Sequence, residues 1–448
     1  MASYWCITGD DHAFVKGNRA GLFECDVSER TVLSAEREHL VIIGCGLATG
    51  RLLDEMARFT HAYRITVIGD EPHGSYNRIM LSKLLAGETG FDELVQKDVR
   101  WFSDVGIAFL CARVTAVSTG SREVSLDNGD TVAYDRLVIA TGSSPAKIPA
   151  GNQRLSGIFS FRTREDVELI SSDAMQSTCA LVVGGGLLGL EAAYGLAKMG
   201  AEVTLVHRSG WLMNRQLDEA AGRHLQGRME ALGIRFVLAD EVETFCGDDR
   251  LTGAELKSGE AIDCEVAVIA TGIRPNGELG EAAGLDCNRA ILVDEWMNTS
   301  DDRISALGEC CEFRGQTFGL VDPIWMQCEV LARRLCDRSG EAFKLEPVAT
   351  RLKVSGIDLY SAGEHLTGDD RREVIIEDAA AGVYRKLVLH EGRITGIVLF
   401  GDTHDGASYF QMMQDGLDVS ALLPELVIGE SFCKLALSEI QMTEKEVA

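Results

Sequence analysis

The sequence predicts an α/β protein with two Rossmann-like domains and a smaller C-terminal α+β domain. Three observations lead to this fold class. A glycine-rich turn between an apolar strand and a helix occurs twice. Each copy is followed by a strand that ends in the tripeptide ATG. Near the end of the chain, EVIIED, VYRKLVLH and RITGIVLFGD read as three short strands, and ASYFQMMQDGLDV reads as a helix.

The two glycine turns follow one plan. The first reads VIIGCGLATG at 41–50, and the second reads VVGGGLLGLEAA at 182–193. Their first glycines, Gly44 and Gly184, are 140 residues apart, and the two ATG tripeptides are 130 apart. A single GxGxxG is a weak signal, but two copies in the same strand–helix context indicate two dinucleotide-binding domains.

Each glycine of such a turn has a physical role. The first permits a tight turn, the second lets the backbone approach a pyrophosphate, and the third allows the helix to pack closely on the strand. The helix N-terminus adds free N–H groups and positive potential. The second turn has all three glycines. In the first turn Thr49 takes the third position, which predicts looser packing or a slight shift of that helix.

Composition and charge exclude several classes of function. The net charge of −26 argues against nucleic-acid binding, because neutralising phosphates needs a basic patch. No run of 18 apolar residues is free of charge, and no export signal is visible, so we expect no membrane span. The 13 cysteines form no CxxC pair. This favours reduced thiols in the cytoplasm and predicts no metal ion.

Further motifs make the family recognisable. EPHGSYNRIMLSKLLAGE (71–88), FSFRTREDVELI (159–170) and ISALGEC (304–310) accompany the second glycine turn and ATGIRP. Together they resemble the FAD- and NAD(P)H-binding portion of assimilatory nitrite reductases. The electron-transfer subunits of assimilatory nitrate reductases are similar, as are the rubredoxin and ferredoxin reductases. All are pyridine nucleotide-disulfide oxidoreductase-like flavoproteins, with the glutathione-reductase-like domain arrangement that this implies. The resemblance covers nearly the whole chain after residue 38.

The resemblance implies that the first turn binds FAD. Glu71, 27 residues after Gly44, is also expected from its position to accept the hydroxyls of the adenosine ribose. Lys83 matches a lysine beside the flavin N5, where a positive charge favours the reduced ring. The implied FAD-binding residues are Gly44, Gly46, Glu71, Arg78, Lys83, Thr141, Gly142, Arg162, Glu309 and Trp325.

The second turn is implied to bind NAD(P)H. The strand after it ends in His207 and Arg208, where a carboxylate would select NAD and repel a 2′-phosphate. These potential cations make NADPH admissible beside NADH, and Arg215 is a further candidate for the ribose. The implied NAD(P)H-binding residues are Gly184, Gly186, Gly189, Glu191, His207, Arg208 and Gly272.

Glu191 follows the second turn closely, where an acid needs an explanation. A carboxylate in the first turn of a helix is stabilised by the helix dipole, but a pyrophosphate repels it. It is therefore expected to point away from the phosphates. The resemblance makes it the partner of Lys83, and these two are the predicted catalytic residues.

The electron acceptor is expected outside the chain. The helical stretch GRLLDEMARF has no redox cysteine pair, and SYNRIMLSKLL has no cysteine. Cys45 is interpreted as a packing residue. The adjacent Cys310 and Cys311 could form only a strained disulfide, so their redox role stays open. The sequence therefore predicts a FAD-dependent NAD(P)H dehydrogenase subunit that reduces a separate redox protein.

We expect that acceptor to be the catalytic subunit of an assimilatory nitrate or nitrite reductase. In the resembling nitrite reductases an iron–sulfur module and a sirohaem domain follow this region, and neither is expected here. An NADH-rubredoxin or ferredoxin reductase is the alternative. A non-catalytic, flavin-bearing protein that binds a partner is an alternative of another class. A homo-oligomer or a hetero-oligomer is compatible with each.

The predicted domain boundaries follow the repeat. Residues 1–36 form an extension of unknown role, interpreted as a strand–turn–strand piece. The FAD-binding domain is discontinuous, at 37–150 and 279–343, and encloses an NAD(P)H-binding domain at 151–278. The remaining segments are a C-terminal interface domain at 344–430 and a tail at 431–448.

Overall fold

The computed structural model describes residues 37–354, 356–366, 368, 370–426 and 429. The predicted N-terminal extension and C-terminal tail lie outside these residues. The described chain forms an α/β fold with two parallel sheets and a separate antiparallel sheet near its end, as the sequence predicts. No helix in these ranges is long and apolar enough to cross a membrane.

The first parallel sheet has five strands and contains the first glycine turn. Its central strand is buried along its whole length, which explains the continuous apolar run HLVII. One edge strand of this sheet, Ile304–Ala306, follows all strands of the second parallel sheet in sequence. In spatial order the strands are Ile304–Ala306, Arg136–Ile139, His39–Ile43, Arg64–Gly69 and Ala108–Cys111.

The second parallel sheet repeats this arrangement around the second glycine turn. Its strands, in spatial order, are Ile158–Ser160, Val266–Ile269, Cys179–Val183, Glu202–His207 and Ile234–Leu238. The helices between them are Arg164–Ala174, Leu187–Lys198 and Glu219–Glu230. Thr163 and Asp166 form a capping box at the start of the first of these helices.

The duplication extends to smaller elements. Each parallel sheet is accompanied by a three-stranded antiparallel sheet inserted before its ATG strand. These insertions comprise Val114–Ser118, Glu123–Leu126 and Thr131–Ala133 in the first half, and Val242–Cys246, Gly253–Leu256 and Ala261–Asp263 in the second. After each ATG tripeptide comes a short strand. These two strands, Ser143–Pro145 and Ile273–Pro275, pair antiparallel and so join the two halves.

Several short elements complete the nucleotide-binding halves. The helices are Leu47–Met56, Leu81–Leu85, Val99–Asp104, Glu278–Ala282 and Val321–Leu335. The strands are Ser75–Tyr76, Val95–Lys97, Ile291–Leu292, Cys311–Phe313 and Gln316–Thr317. The helix Leu47–Met56, which follows the first glycine turn, packs against the long helix Val321–Leu335.

The antiparallel sheet near the end of the chain has five strands, of which the sequence predicted three. In spatial order they are Ala349–Val354, Ile357–Gly363, Arg393–Phe400, Val383–His390 and Arg372–Asp378. The predicted helix is present at Gly406–Gln414, and a short helix Leu423–Leu426 follows. Side chains alternate along a strand. Leu359 therefore packs with the core of the second half, while Tyr360 packs against the helix Gly406–Gln414.

Candidate functional site

The first glycine turn has the space that an anion needs. Gly44 has a φ of +102°, and a Cβ there would lie 2.2 Å from the carbonyl oxygen of Ala140. Gly46 caps the helix Leu47–Met56, and no protein atom lies within 4 Å of where its Cβ would be. The helix N-terminus, with its free N–H groups, is therefore open to a phosphate group.

Thr49 takes the place of the third glycine without a gap. It is fully buried, and its hydroxyl donates a hydrogen bond of 2.7 Å to the carbonyl oxygen of Gly44. At the matching place in the second turn, a Cβ on Gly189 would lie 1.9 Å from the carbonyl oxygen of Gly184. The first helix must therefore stand farther from its turn than the second helix does, in line with the shift that the threonine predicts.

Four of the predicted FAD-binding residues form one line of charged side chains, made of two linked ion pairs, beside the first turn. Arg78 forms an ion pair with Glu71, and its Nη1 donates a 3.3 Å hydrogen bond to the carbonyl oxygen of Arg162. Arg162 in turn forms an ion pair with Glu309. All four side chains are partly exposed. The four side chains are therefore accessible to a ligand, and they lie close enough together to contact the same ligand.

Neighbouring groups fix this line of charges. The Tyr76 hydroxyl donates a 2.7 Å hydrogen bond to Glu71, and the Ser143 hydroxyl donates a 2.9 Å hydrogen bond to Glu309. The Nε of Arg162 is buried without a hydrogen-bond partner among the described residues. Leaving such a donor unpaired costs about 1–3 kcal/mol. The residues therefore fit a polar ligand such as FAD, which could accept that hydrogen bond.

Tyr76 and Ser143 were not among the site residues predicted from the sequence. Tyr76 lies inside the motif EPHGSYNR, and Ser143 directly follows the first ATG. Their places beside recognised motifs were the available signal. Their hydrogen-bonding roles depend on where distant carboxylates arrive in the fold.

Thr141 connects the two halves. Its hydroxyl donates a 2.9 Å hydrogen bond to the carbonyl oxygen of Asn276, whose side-chain nitrogen donates one of 2.9 Å to the carbonyl oxygen of Thr141. Gly142 and Gly272, the last residues of the two ATG tripeptides, have φ values of +67° and +122°. With these positive φ values, the backbone leaves each parallel sheet and enters the antiparallel pair of strands that joins the halves.

Trp325 lies on the helix Val321–Leu335. The Cζ of Arg51 is 5.5 Å from the centroid of the Trp325 ring, within the range of a cation–π interaction. Arg51 belongs to the helix that follows the first glycine turn. Trp325 is therefore close to the FAD-binding half, and its contact with flavin stays a prediction.

The cysteines near the first turn are held as thiols. Cys310 and Cys311 are fully buried, and burial raises the pKa of both. Each Sγ donates to a main-chain carbonyl, over 3.3 Å and 3.2 Å respectively. Burial also raises the pKa of Cys45 to about 12. Such thiols are poor nucleophiles, because only the thiolate is reactive.

The second glycine turn uses its glycines as the sequence predicts. Gly184 has a φ of +123°, and a Cβ there would lie 2.4 Å from the carbonyl oxygen of Ala270. Gly189 admits no Cβ, as described above. Gly186 caps the helix Leu187–Lys198 and has open space where a Cβ would point. The second turn therefore offers an anion site like the first.

His207 lies under this turn, which corrects its prediction as a cation offered to the ribose. Its Nδ1 accepts a 3.1 Å hydrogen bond from the N–H of Gly185, and its Nε2 is 3.2 Å from Oδ1 of Asn214. Because Nδ1 accepts, the ring is neutral and Nε2 carries the proton. Burial lowers the pKa of His207 further. This histidine supports the main chain of the turn.

Arg208 is exposed at the end of the same strand. It lines an open cavity of about 400 Å³ together with Ser209, Asp240 and Lys257. Lys257 is paired with Glu241. No hydrogen bond or ion pair of the Arg208 side chain occurs in the described part of the chain, so its guanidinium is available to a ligand. The contact of Arg208 with the ribose stays a prediction.

Lys83 and Glu191 come close but do not form an ion pair within 4 Å in the described structure. Their helices, Leu81–Leu85 and Leu187–Lys198, pack together. Glu191 is the fifth residue of its helix, so the prediction that it occupies the first turn is wrong. Burial raises the pKa of Glu191 to about 7, although the Ser82 hydroxyl and the Lys83 ammonium each lower it. The catalytic pairing stays a prediction.

The raised pKa of Glu191 predicts a pH-dependent stability. The folded protein holds the proton of this carboxyl more tightly than the unfolded chain, whose pKa is near 4.5. The free energy of unfolding should therefore fall as the pH rises from about 4.5 to about 7. We expect Glu191→Gln to be more stable than the parent by about 2 kcal/mol at pH 8, with the gain shrinking toward pH 5.

Urea unfolding at several pH values measures this effect. Glu88→Gln is the matched control, because Glu88 is paired with Lys198 and should give no gain on losing its charge. Parallel stability curves for the parent and Glu191→Gln would contradict the prediction.

Comparison with known proteins agrees with this geometry. Residues 38–330 match the family model of the pyridine nucleotide-disulphide oxidoreductases, and residues 347–417 match that of the rubredoxin NAD+ reductase C-terminal domain. The chain is similar to a ferredoxin reductase from Rhodopseudomonas palustris, with a TM-score of 0.75 and 26% identity over 83% of this chain and 93% of that chain.

Two relatives come from Bacillus subtilis (strain 168). The chain is 38% identical over 386 residues to a nitrite reductase [NAD(P)H], a match that covers 86% of this chain and 48% of that protein. It is 34% identical over 398 residues to an assimilatory nitrate reductase electron transfer subunit, covering 88% of this chain and 52% of that protein. The chain thus spans about half the length of these relatives. With its family model matched over more than half of its length, the chain belongs to the pyridine nucleotide-disulphide oxidoreductases, as the sequence motifs predicted.

Proposed function

We propose that the chain is a FAD-dependent NAD(P)H dehydrogenase that passes electrons to a separate protein, the catalytic subunit of an assimilatory nitrate or nitrite reductase. The observation that carries the proposal is the pair of open glycine turns, at Gly46 and Gly186, joined through the two ATG tripeptides. Membership of the family implies FAD and NAD(P)H as cofactors. The names of the two Bacillus relatives support the choice of acceptor.

The chain contributes binding and orientation to this reaction. FAD, when bound, supplies the chemistry of accepting a hydride and releasing electrons. The helix N-termini at Gly46 and Gly186 would hold the two pyrophosphates. Arg78, Arg162 and Glu309 would orient the flavin-bearing cofactor through their partly exposed charges. Hydride transfer depends on the distance and orientation of the two reacting rings more than on a proton donor.

Lys83 and Glu191 are proposed to act beside the flavin ring. The proximity of their helices supports this, and the exposed Lys83 side chain is free to turn toward a ligand or toward Glu191. A positive charge there would favour the reduced ring. A Glu191→Gln variant with unchanged hydride transfer to the flavin would count against the pairing.

Two further parts of the proposal concern location and partner. Every cysteine that the structure describes is free, which supports a reducing compartment such as the cytoplasm. A ferredoxin or rubredoxin as acceptor is the second candidate. It is favoured by the match of residues 347–417 to the rubredoxin reductase domain and by the ferredoxin reductase likeness.

Anaerobic mixing of the flavin-loaded protein with NADH or NADPH tests the dehydrogenase. We expect rapid bleaching of the flavin absorbance and turnover with an artificial acceptor. No bleaching with either nucleotide would reject the proposal in favour of a non-catalytic flavin protein. Affinity capture from cells grown on nitrate, compared with cells grown on ammonium, tests the acceptor. A molybdenum or sirohaem subunit supports the proposal, whereas a rubredoxin or ferredoxin replaces it with the second candidate.

Arg208 is expected to decide how well NADPH is used. Arg208→Gln removes the available guanidinium and should raise the KM for NADPH about ten-fold or more, because a charge-assisted hydrogen bond to the 2′-phosphate is lost. The KM for NADH should change by less than about two-fold, since its ribose has no phosphate for Arg208 to bind. Steady-state kinetics with both nucleotides measure the difference, with Arg223→Gln as the control, because Arg223 is exposed and paired with Glu219. Equal changes for NADH and NADPH would contradict a 2′-phosphate role.

A further inference from the structure

The C-terminal sheet is anchored to the second nucleotide-binding half through a buried charge. Lys386, 4% exposed, lies 2.9 Å from Asp218 and 2.6 Å from Glu373. The Tyr384 hydroxyl donates a further 2.7 Å hydrogen bond to Asp218. Asp218 also caps the helix Glu219–Glu230. The sheet therefore fixes the point where that helix begins.

The same sheet and the segment after it bind the loop 211–218 at two more places. The Ser361 hydroxyl donates a 2.5 Å hydrogen bond to the carbonyl oxygen of Gln216. His365, two residues beyond the strand, donates from Nε2 to the carbonyl oxygen of Asn214 over 3.1 Å. Asn214, Gln216 and Asp218 of this loop are thus each bound by the C-terminal domain.

The other side of this loop holds the second glycine turn. The Asn214 side chain contacts His207, which accepts the N–H of Gly185. The N–H of Met213 donates a 2.9 Å hydrogen bond to the carbonyl oxygen of Gly185. The N–H of Gly185 is therefore bound by His207, and its carbonyl oxygen by Met213. The next residue, Gly186, is the one with open space at the helix N-terminus.

We propose that the C-terminal domain positions the NAD(P)H-binding turn, through a relay that runs from His365 to Asn214, His207 and Gly185. His207 and His365 are positioning residues, and neither needs to touch the nucleotide. The inference rests on the proposed function for the identity of the ligand. It gives the C-terminal domain a role on the nicotinamide side of the protein.

The physical reason is preorganisation. A glycine turn has little intrinsic rigidity, and ordering it when a nucleotide binds would reduce affinity. Hydrogen bonds to both the N–H and the carbonyl of Gly185 hold the turn before the ligand arrives. Loss of the link at His365 should loosen the loop, and then the turn, without changing any group at the FAD side.

His365→Leu tests the relay from its far end. His404→Leu is the matched control, because His404 lies in the same domain, is 96% exposed, and contacts Asp402 rather than the loop. We expect amide hydrogen exchange in the peptide containing Gly185 to accelerate in His365→Leu and to stay unchanged in His404→Leu. The Kd for NADH should rise about three- to ten-fold, the size expected for one lost hydrogen bond. FAD content and kcat should stay the same.

A second pair of variants probes His207 itself. His207→Phe keeps a ring beneath Gly185 but cannot accept its N–H, and it should weaken NADH binding about ten-fold or more. His207→Asn retains an acceptor in the place of Nδ1 and should recover part of that loss. A rescue of this kind would not follow from a role in packing alone.

The outcomes separate the inference from the proposed function. If the parent binds NADH and all variants bind it equally, or if exchange at Gly185 is the same in His365→Leu and in the control, the inference is overturned and the proposed function stands. If the parent binds neither NADH nor NADPH, the proposed function fails and takes the nucleotide part of the inference with it. Faster exchange together with weaker binding in His365→Leu supports both.

Discussion

Replacing Lys386 by methionine is expected to lower the free energy of unfolding by about 3–5 kcal/mol, because two carboxylates would be left without their buried cation. Asp218 and Glu373 both lie within 3 Å of its Nζ. Burial lowers the pKa of Lys386, but these carboxylates outweigh it and raise the pKa overall, so the ammonium is charged at neutral pH. Urea unfolding at pH 7 measures the loss.

The control for this experiment is Lys344→Met. Lys344 is exposed and paired with Glu341 at the surface, so its removal should change stability by less than about 0.5 kcal/mol. Adding Asp218→Asn and Glu373→Gln to Lys386→Met should recover part of the lost stability, since the unpaired charges are then gone. A Lys386→Met protein as stable as the control would show that the buried contact contributes little.

Replacing Gly186 by valine is expected to weaken NAD(P)H binding about 100-fold or more while leaving the fold intact. The backbone there is extended, with φ −85° and ψ 179°, and no protein atom lies near the new side chain. The valine methyls would occupy the space through which the backbone approaches a pyrophosphate. The Kd for NADH and the melting temperature together measure the effect.

Two other glycines give the contrast. Gly189→Ala should destabilise the protein itself, because its Cβ would collide with the carbonyl oxygen of Gly184. Gly227→Ala, on the exposed face of the helix Glu219–Glu230, meets nothing and should add about 0.5–1 kcal/mol of stability with unchanged binding. Normal NADH binding in Gly186→Val would mean that the open space is not the nucleotide site.

The sequence was informative wherever function is carried by consecutive residues. The glycine turns and ATG tripeptides follow local rules of chain reversal and helix capping. Because this set of motifs occurs twice in the chain, it predicts both parallel sheets. The three late strands were likewise predicted from consecutive residues, as short strands near the end of the chain. The strands Ala349–Val354 and Ile357–Gly363 were not predicted as strands.

Side-chain direction at the site was less predictable. His207 ends its strand at the position of a ribose contact, but the loop 211–218 and the C-terminal sheet decide that its ring lies under Gly185. The same long-range packing brings Ser143 to Glu309 across 166 residues of sequence. No spacing rule reports such contacts, because they depend on elements that meet only in the folded chain.

The two short strands Ser143–Pro145 and Ile273–Pro275, which pair with each other, also connect the two glycine turns. Each begins at an ATG tripeptide whose alanine carbonyl crowds the first glycine of its own turn. Main-chain contacts thus run without a break from each glycine turn, through its ATG tripeptide, to the antiparallel pair shared by both halves.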